Sequence, residues 1–110
     1  MSNNWQRRKF GNTNLFVTPI CWGCGVLGNE PDGFGYEVNE GQGIETLLRA
    51  FQSPVNFFDT DRIYGDSERR IGKAVQKQGG LPDGFVLATK ADRDLENNNF
   101  SPIQIRKSVE

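Results

Sequence analysis

The chain has no histidine, and that absence constrains its chemistry more than any residue it contains. Without imidazole, no side chain titrates near neutrality unless its surroundings move it, and the commonest metal ligand is missing. Only two cysteines occur, Cys21 and Cys24, too few for a disulfide scaffold and without a second ligand pair for zinc. No metal site is expected. No apolar run approaches the length that spans a bilayer, and the N-terminal stretch MSNNWQRRKF has some positive charge but no apolar segment of a targeting signal. These readings make a cytoplasmic protein with no membrane partner the default. An excess of charge of one sign is lacking too: 13 Lys and Arg stand against 14 Asp and Glu, with no block of like charge. A nucleic-acid partner is therefore not expected. A hydrophobic content of 35% over 110 residues is low for a self-sufficient core and allows one domain at most.

What is there alternates strand and helix signals. Residues 8–17, RKFGNTNLFV, place a polar turn between two short apolar segments and predict a small hairpin that plugs one end of the fold. Residues 19–22, PICW, predict a first buried strand ending near Gly23. Residues 29–39 lack periodicity and read as a long loop. Ile44, Leu47, Leu48 and Phe51 then form one apolar helical stripe, ended by Pro54. A second strand is predicted over residues 55–59. The helix that follows would be capped by Ser67, carry Ile71, Ala74 and Val75 inward, and close at Gly79 and Gly80. A third strand is predicted over residues 85–90. After a polar loop, Ser101-Pro102-Ile103-Gln104 is a capping box with proline at the first helical position, and its helix bears Ile105 and Val109 on one face. Strands this apolar, separated by helices, are the pattern of parallel βαβ units. Three such strands leave two open sheet edges, which makes self-association through those edges one possible partnership.

The stretch around which chemistry can be organised is residues 55–68, VNFFDTDRIYGDSE. Asp59 stands where an apolar strand meets its loop, a place where a carboxylate is costly to leave unpaired. Lys90 ends the next strand, and in a parallel sheet the carboxyl ends of neighbouring strands lie side by side, so Asp59, Tyr64 and Lys90 can meet at one rim. A nearby ammonium favours phenolate and so prepares a tyrosine to give up its proton, while a carboxylate holds that ammonium. An ordinary rim ion pair beside a surface tyrosine is the plain alternative. Gly23, Gly25 and Gly28 spell G-x-G-x-x-G, but residues 29–33 do not read as the helix a dinucleotide pyrophosphate needs, so the glycines are expected to permit close backbone approach or to turn. Cys21-Trp22-Gly23-Cys24 is a C-x-x-C, the basis of a rival reading as a dithiol redox protein. Asp61, Arg62, Asp66, Glu68, Arg69 and Arg70 read as a solvated charged surface. Phe34 and Tyr36, in the long loop, either line a pocket or pack onto the sheet.

With Phe57-Phe58-Asp59-Thr60, Ile63-Tyr64-Gly65 and Ser67-Glu68, the chain resembles the aldo-keto reductases. RKFGNTNLFVTPICWGCG is similar to that family's N-terminal hairpin and first barrel strand, FVLATK to its third strand with the terminal lysine, and SPIQIRKSVE to the start of its third helix. Among subgroups the likeness is to bacterial aldose or sugar dehydrogenases. The resemblance implies an α/β fold, the N-terminal portion of a single (β/α)8 barrel domain with its hairpin and about three βα units, spanning residues 1–110. It implies NADPH or NADH as cofactor, NADPH favoured, and a small carbonyl compound as substrate. Tyr64 would be the proton donor, Lys90 would lower its pKa and Asp59 would pair with Lys90, while Gly23, Cys24 and Asp59 would border the nicotinamide. The family's fourth catalytic residue, a histidine, has no counterpart here, and a whole barrel takes about 250 residues. The isolated chain is therefore expected to be inactive, with a non-catalytic, self-associating barrel fragment as the alternative.

Overall fold

The computed structural model describes residues 5–110; the first four residues of the N-terminal stretch weighed against a targeting signal lie outside that range. A hairpin comes first: β1 (Arg8–Lys9) pairs antiparallel with β2 (Phe16–Val17), and Phe10 N–H donates to the Leu15 carbonyl at 2.8 Å to close the turn. Three further strands, β3 (Trp22–Gly23), β4 (Phe57–Asp59) and β5 (Val86–Ala88), form a parallel sheet in that order. Helices α1 (Pro31–Phe34), α2 (Glu40–Ala50), α3 (Ser67–Gln78) and α4 (Pro102–Val109) alternate with them, and a 3-10 turn over Val26–Gly28 follows β3. Hairpin, strand order and helix order agree with the α/β, partial-barrel reading.

The strands are shorter than the apolar runs suggested. Just before β4, the Asn56 side chain is fully buried while its backbone carbonyl accepts from Val86 N–H at 2.8 Å. Its Oδ1 accepts from Thr18 N–H at 2.8 Å, and its Nδ2 donates to the Phe16 and Gly84 carbonyls at 2.8 and 2.7 Å. One buried amide thus ties the hairpin to the starts of β4 and β5, and the Phe10 ring meets Phe57 edge-on at 5.5 Å beneath it. The loop after β3 also departs from expectation. Pro31 occupies the first position of α1, which runs for four residues and stops at Gly35, whose φ of +82° suits glycine.

Packing follows the register. Trp22, Phe58 and Leu87 are paired across β3, β4 and β5, so they share one face, while Gly23, Asp59 and Ala88 share the other. On the first face Phe58 packs with Leu47 and Ala50 from α2, Phe51 just after it, and Ile71 and Ala74 from α3, joined by Cys24 and Leu27. The Ile44, Leu47, Leu48, Phe51 stripe behaves as read: Leu47 and Phe51 are buried and the other two pack against them. Each fully buried Leu or Phe contributes about 1.5–3 kcal/mol. Asn39 caps α2 by accepting from Gln42 N–H at 2.8 Å, and Ser101 caps α4 by accepting from Gln104 N–H at 3.0 Å, the latter as the capping box required. Among the described residues, no helix is long and apolar enough to cross a membrane.

Candidate active site

Asp59 is the last residue of β4, and its register partners Gly23 and Ala88 end β3 and β5, so three strand ends line one rim. Lys90 lies two residues beyond β5, where the chain has not yet turned away. Its Nζ donates to the Asp59 carboxylate at 2.9 Å and to the Thr60 carbonyl at 2.9 Å. The same Nζ sits 5.4 Å from the centroid of the Tyr64 ring, over its face. Asp59, Tyr64 and Lys90 are therefore brought together from two strands and one loop. The amine meets the phenol through the ring face, and its hydrogen bonds go to Asp59 and Thr60.

The pair differs from the expected desolvated one in its exposure. The side chains of Lys90 and Asp59 are 43% and 40% exposed, so the rim is open to solvent here. The hydrogen bond that Lys90 donates to Asp59 still holds its amine above its ordinary range, with the charges of Asp59, Tyr64 and Asp61 adding in the same sense. What the rim keeps is a cation fixed in charge and in place beside a phenol.

Several neighbours were misjudged by sequence. Ser67 does not cap α3, since it is the first helical residue and is buried. Its Oγ donates to the Cys24 carbonyl at 2.8 Å, which leaves Thr60 Oγ1 to donate to Ser67 at 2.7 Å. Those two hydroxyls lace the ends of β3 and β4 to α3. Arg70, read as surface, is 3% exposed, and it reaches the carbonyls of Leu27 and Val38 at 2.9 and 2.8 Å. Asp61 is buried as well, against Asp92 from the loop after β5. Burial, then the Asp92 carboxyl, push the Asp61 carboxyl up, and the bond from Asp61 holds Asp92 down, so of the two it is Asp61 that holds a proton to higher pH. The remaining charges do behave as a solvated surface: Glu40 on α2 pairs with Arg69, and with Lys73 at 2.9 Å, both on α3.

Two signals were available for these misses. Asn56 is a polar residue inside an apolar strand, which demands buried partners. Ser67 and Arg70 stand at the spacing of Ile71 and Ala74, on the inward stripe of α3 rather than off it. The Asp61 and Asp92 pairing carried no such local mark, because the two come from different loops.

The C-x-x-C motif does not have the setting of a redox dithiol. Both cysteines are free thiols, and burial pushes Cys24 up to about 12 and Cys21 above its ordinary value, the reverse of an activated thiolate. Nor does G-x-G-x-x-G make a phosphate cradle, since the helix after it has four residues and is separated from Gly28 by Asn29 and Glu30. Gly23 is different. It is exposed at the rim beside Asp59, and a Cβ built on it meets no heavy atom of the described residues within 4 Å, which leaves room for a flat ring. At Cys24 the side chain is turned into the core, its N–H is given to the Asp59 carbonyl at 2.9 Å and its carbonyl accepts from Ser67, so any cofactor contact there is confined to backbone surface.

Parallel strands laced to helices, with a charged rim at their carboxyl ends, are the arrangement of the βα units of a (β/α)8 barrel. The aldo/keto reductase family model matches residues 19–110, and the chain belongs to that family. It is 35% identical over 105 residues to L-galactose dehydrogenase of Arabidopsis thaliana, covering 94% of this chain and 32% of that protein. It is 29% identical over 98 residues to an uncharacterised 11.2 kDa protein of Pseudescherichia vulneris, covering 81% of this chain and 88% of that one. A crystal structure from Pseudomonas aeruginosa described as an aldo-keto reductase superposes with a TM-score of 0.73 at 25% identity, over 94% of this chain and 39% of that one. The chain thus spans about a third of the length of L-galactose dehydrogenase.

Proposed function

We propose that these residues form the proton-donating part of an NAD(P)H-dependent carbonyl reductase, with Tyr64 as acid, Lys90 as the cation beside it and Asp59 as the anchor of Lys90. The observation that carries this reading is the Lys90 amine, held at 2.9 Å by both Asp59 and Thr60 and poised 5.4 Å from the Tyr64 ring. When bound, the nicotinamide supplies the hydride that reaches the carbonyl carbon. The carbonyl oxygen takes its proton from the Tyr64 hydroxyl, and the phenolate left behind is stabilised by the Lys90 charge. In the reverse direction the same phenolate accepts the proton of an alcohol. Gly23 and Asp59 border the space left for the nicotinamide, and Asp59 keeps the ammonium from swinging into it. Family membership supports the cofactor class, and likeness to L-galactose dehydrogenase supports aldoses or other small carbonyl compounds as substrates, with residues 1–110 as the N-terminal portion of the barrel domain.

The test is steady-state reduction of small aldehydes by a barrel-length protein carrying these residues. Tyr64→Phe is expected to lower kcat by roughly 10²–10⁴-fold, while the 110 residues alone turn over nothing. An unaffected Tyr64→Phe variant would remove the assignment.

A second reading, self-association of the chain, is favoured by one feature. Among the described residues both outer strands are paired on one side only, β3 to β4 and β5 to β4, and Trp22 and Leu87 are exposed on the helix-facing side of those edges. Light scattering of the purified chain separates a monomer from an assembly.

A further inference from the structure

The glycines after β3 and the buried Arg70 have no part in the chemistry above, yet the glycines lie against Tyr64 and Arg70 holds the loop that carries them. A Cβ built on Gly25 would lie 3.6 Å from the Tyr64 ring and 3.4 Å from the Phe34 ring, so the phenol ring rests on Gly25. A Cβ built on Gly28 would lie 2.0 Å from the Tyr64 carbonyl oxygen, a separation no side chain can occupy. Gly65, at φ +48°, faces Gly28 in return, and its own built Cβ would fall 2.4 Å from the Gly28 carbonyl oxygen. Two loops cross here with backbone against backbone, and Asp66 N–H donates to the Gly28 carbonyl at 2.9 Å to lock the crossing.

Arg70 grips the same loop from below. Its Nη1 donates to the Leu27 carbonyl at 2.9 Å, to Val38 at 2.8 Å and to Asn39 at 3.4 Å, so one guanidinium spans both ends of the segment between β3 and α2. As a source of stability this is a poor arrangement. The cation is buried with carbonyls rather than a carboxylate for partners, it lies beside the N-terminus of α2 where the helix dipole opposes positive charge, and its Nε is buried without a partner among the described residues. What the arrangement does supply is fixed geometry for Gly25 and Gly28.

We infer that Arg70 is a positioning residue, which holds the Gly25 and Gly28 loop as the seat on which Tyr64 is aimed at Lys90. In this reading G-x-G-x-x-G serves a tyrosine, not a phosphate. The inference rests on the role proposed for Tyr64 only for its consequence in catalysis; the seating itself is a matter of geometry.

Arg70→Met separates the two. Methionine fills the aliphatic path and removes both the unpaired Nε and the uncompensated charge, at the cost of leaving carbonyls unpaired, so the melting temperature is expected to stay close to that of the parent. NOE cross-peaks from the Tyr64 ring to the Gly25 α-protons and to the Lys90 ε-protons, measured in the 110-residue chain, are expected to weaken by more than half. Arg70→Lys, whose amine falls short of the Nη1 position but keeps the charge, should restore them in part. A folded Arg70→Met chain with unchanged cross-peaks overturns the inference, and so does global unfolding, which would make Arg70 a stability residue instead. In the barrel-length enzyme the same variant is expected to lower kcat at least tenfold with little change in KM. Lost cross-peaks with undiminished turnover would leave the seating in place and remove the catalytic role of Tyr64.

Discussion

Two residues in the same register position live in different environments. Phe58 on β4 is 1% exposed under α2 and α3, whereas its partner Leu87 on β5 is 40% exposed on the same face. The part of the sheet under α2 and α3 is closed, and β5 is open; α4 is open too, since every one of its residues is at least partly exposed, Ile103 by 80%. The candidate site straddles the boundary. Tyr64 and Asp59 come from the closed side, while Lys90 and Asp92 come from the open one. The lesson is that the phenol is placed by packing and backbone contact, but the ammonium is placed by two hydrogen bonds back to the closed side.

The sharpest way to break that comparison is to truncate each member of the pair. Phe58→Ala is expected to cost about 3–5 kcal/mol in urea unfolding, because the ring contacts both helices, meets Phe51 edge-on at 5.3 Å and stacks on Phe85 at 5.8 Å between centroids. Leu87→Ala should cost about 1 kcal/mol or less. Equal losses would mean that β5 is as well covered as β4, and the division of the molecule would fall.

A smaller effect is expected where the two sides touch, at Asp61 and Asp92. Asp61 titrates above the ordinary carboxylate range, so its contribution to folding is complete below that range and is lost as pH rises through the raised value. Asp92 titrates below it, and its contribution is present above that range and lost as pH falls. The pair therefore favours the fold most near about pH 4, the ordinary Asp value, and loses ground toward neutrality. Lys90, Arg62 and Arg93 surround it and moderate this loss without supplying the missing proton. Asp61→Asn donates to Asp92 at every pH and can keep the bond that Asp61 accepts from Ile63 N–H at 3.1 Å. At pH 7 the variant should gain about 1 kcal/mol over the parent, shrinking toward zero near about pH 4. A gain of the same size at both pH values would show that no proton is shared.

Periodicity made the closed side legible and left the junctions obscure. The stripe on α2, the Gly79 stop of α3 and the capping box of α4 are local signals, and each is found where the residues place it. The rim was legible for a different reason: in a parallel sheet the ends of neighbouring strands must lie together, so Asp59 and Lys90, 31 positions apart, could be paired without knowing any other contact. Arg70 and Asp61 were taken for surface because charge usually faces water, and Ser67 for a helix cap because hydroxyls favour that position. Each instead satisfies backbone or a carboxyl from another loop; the inward spacing of Ser67 and Arg70 on α3 marks their burial but not their partners, and Asp61 carries no local mark at all. Asn56 is the intermediate case, since its place in an apolar run announced a buried partner but not which three backbone groups it would serve.

The smallest expected effect belongs to α4, and it tests whether the open side can change without disturbing the rim. Ser101→Ala removes the cap that Ser101 Oγ provides to Gln104 N–H at 3.0 Å, worth about 1 kcal/mol of helix stability. Because α4 is tied to the rest mainly through Ser108 Oγ, which accepts from Asp92 N–H at 2.8 Å, that loss should appear as faster amide exchange within α4. Global stability in urea should change by less than about 0.5 kcal/mol. The Lys90 amine ought not to notice, because both its acceptors, the Asp59 carboxylate and the Thr60 carbonyl, sit at the end of β4 rather than on anything α4 holds. If exchange instead quickened equally in β4 and α4, the helix would be part of one cooperative unit with the sheet, and the ammonium would depend on the open side after all.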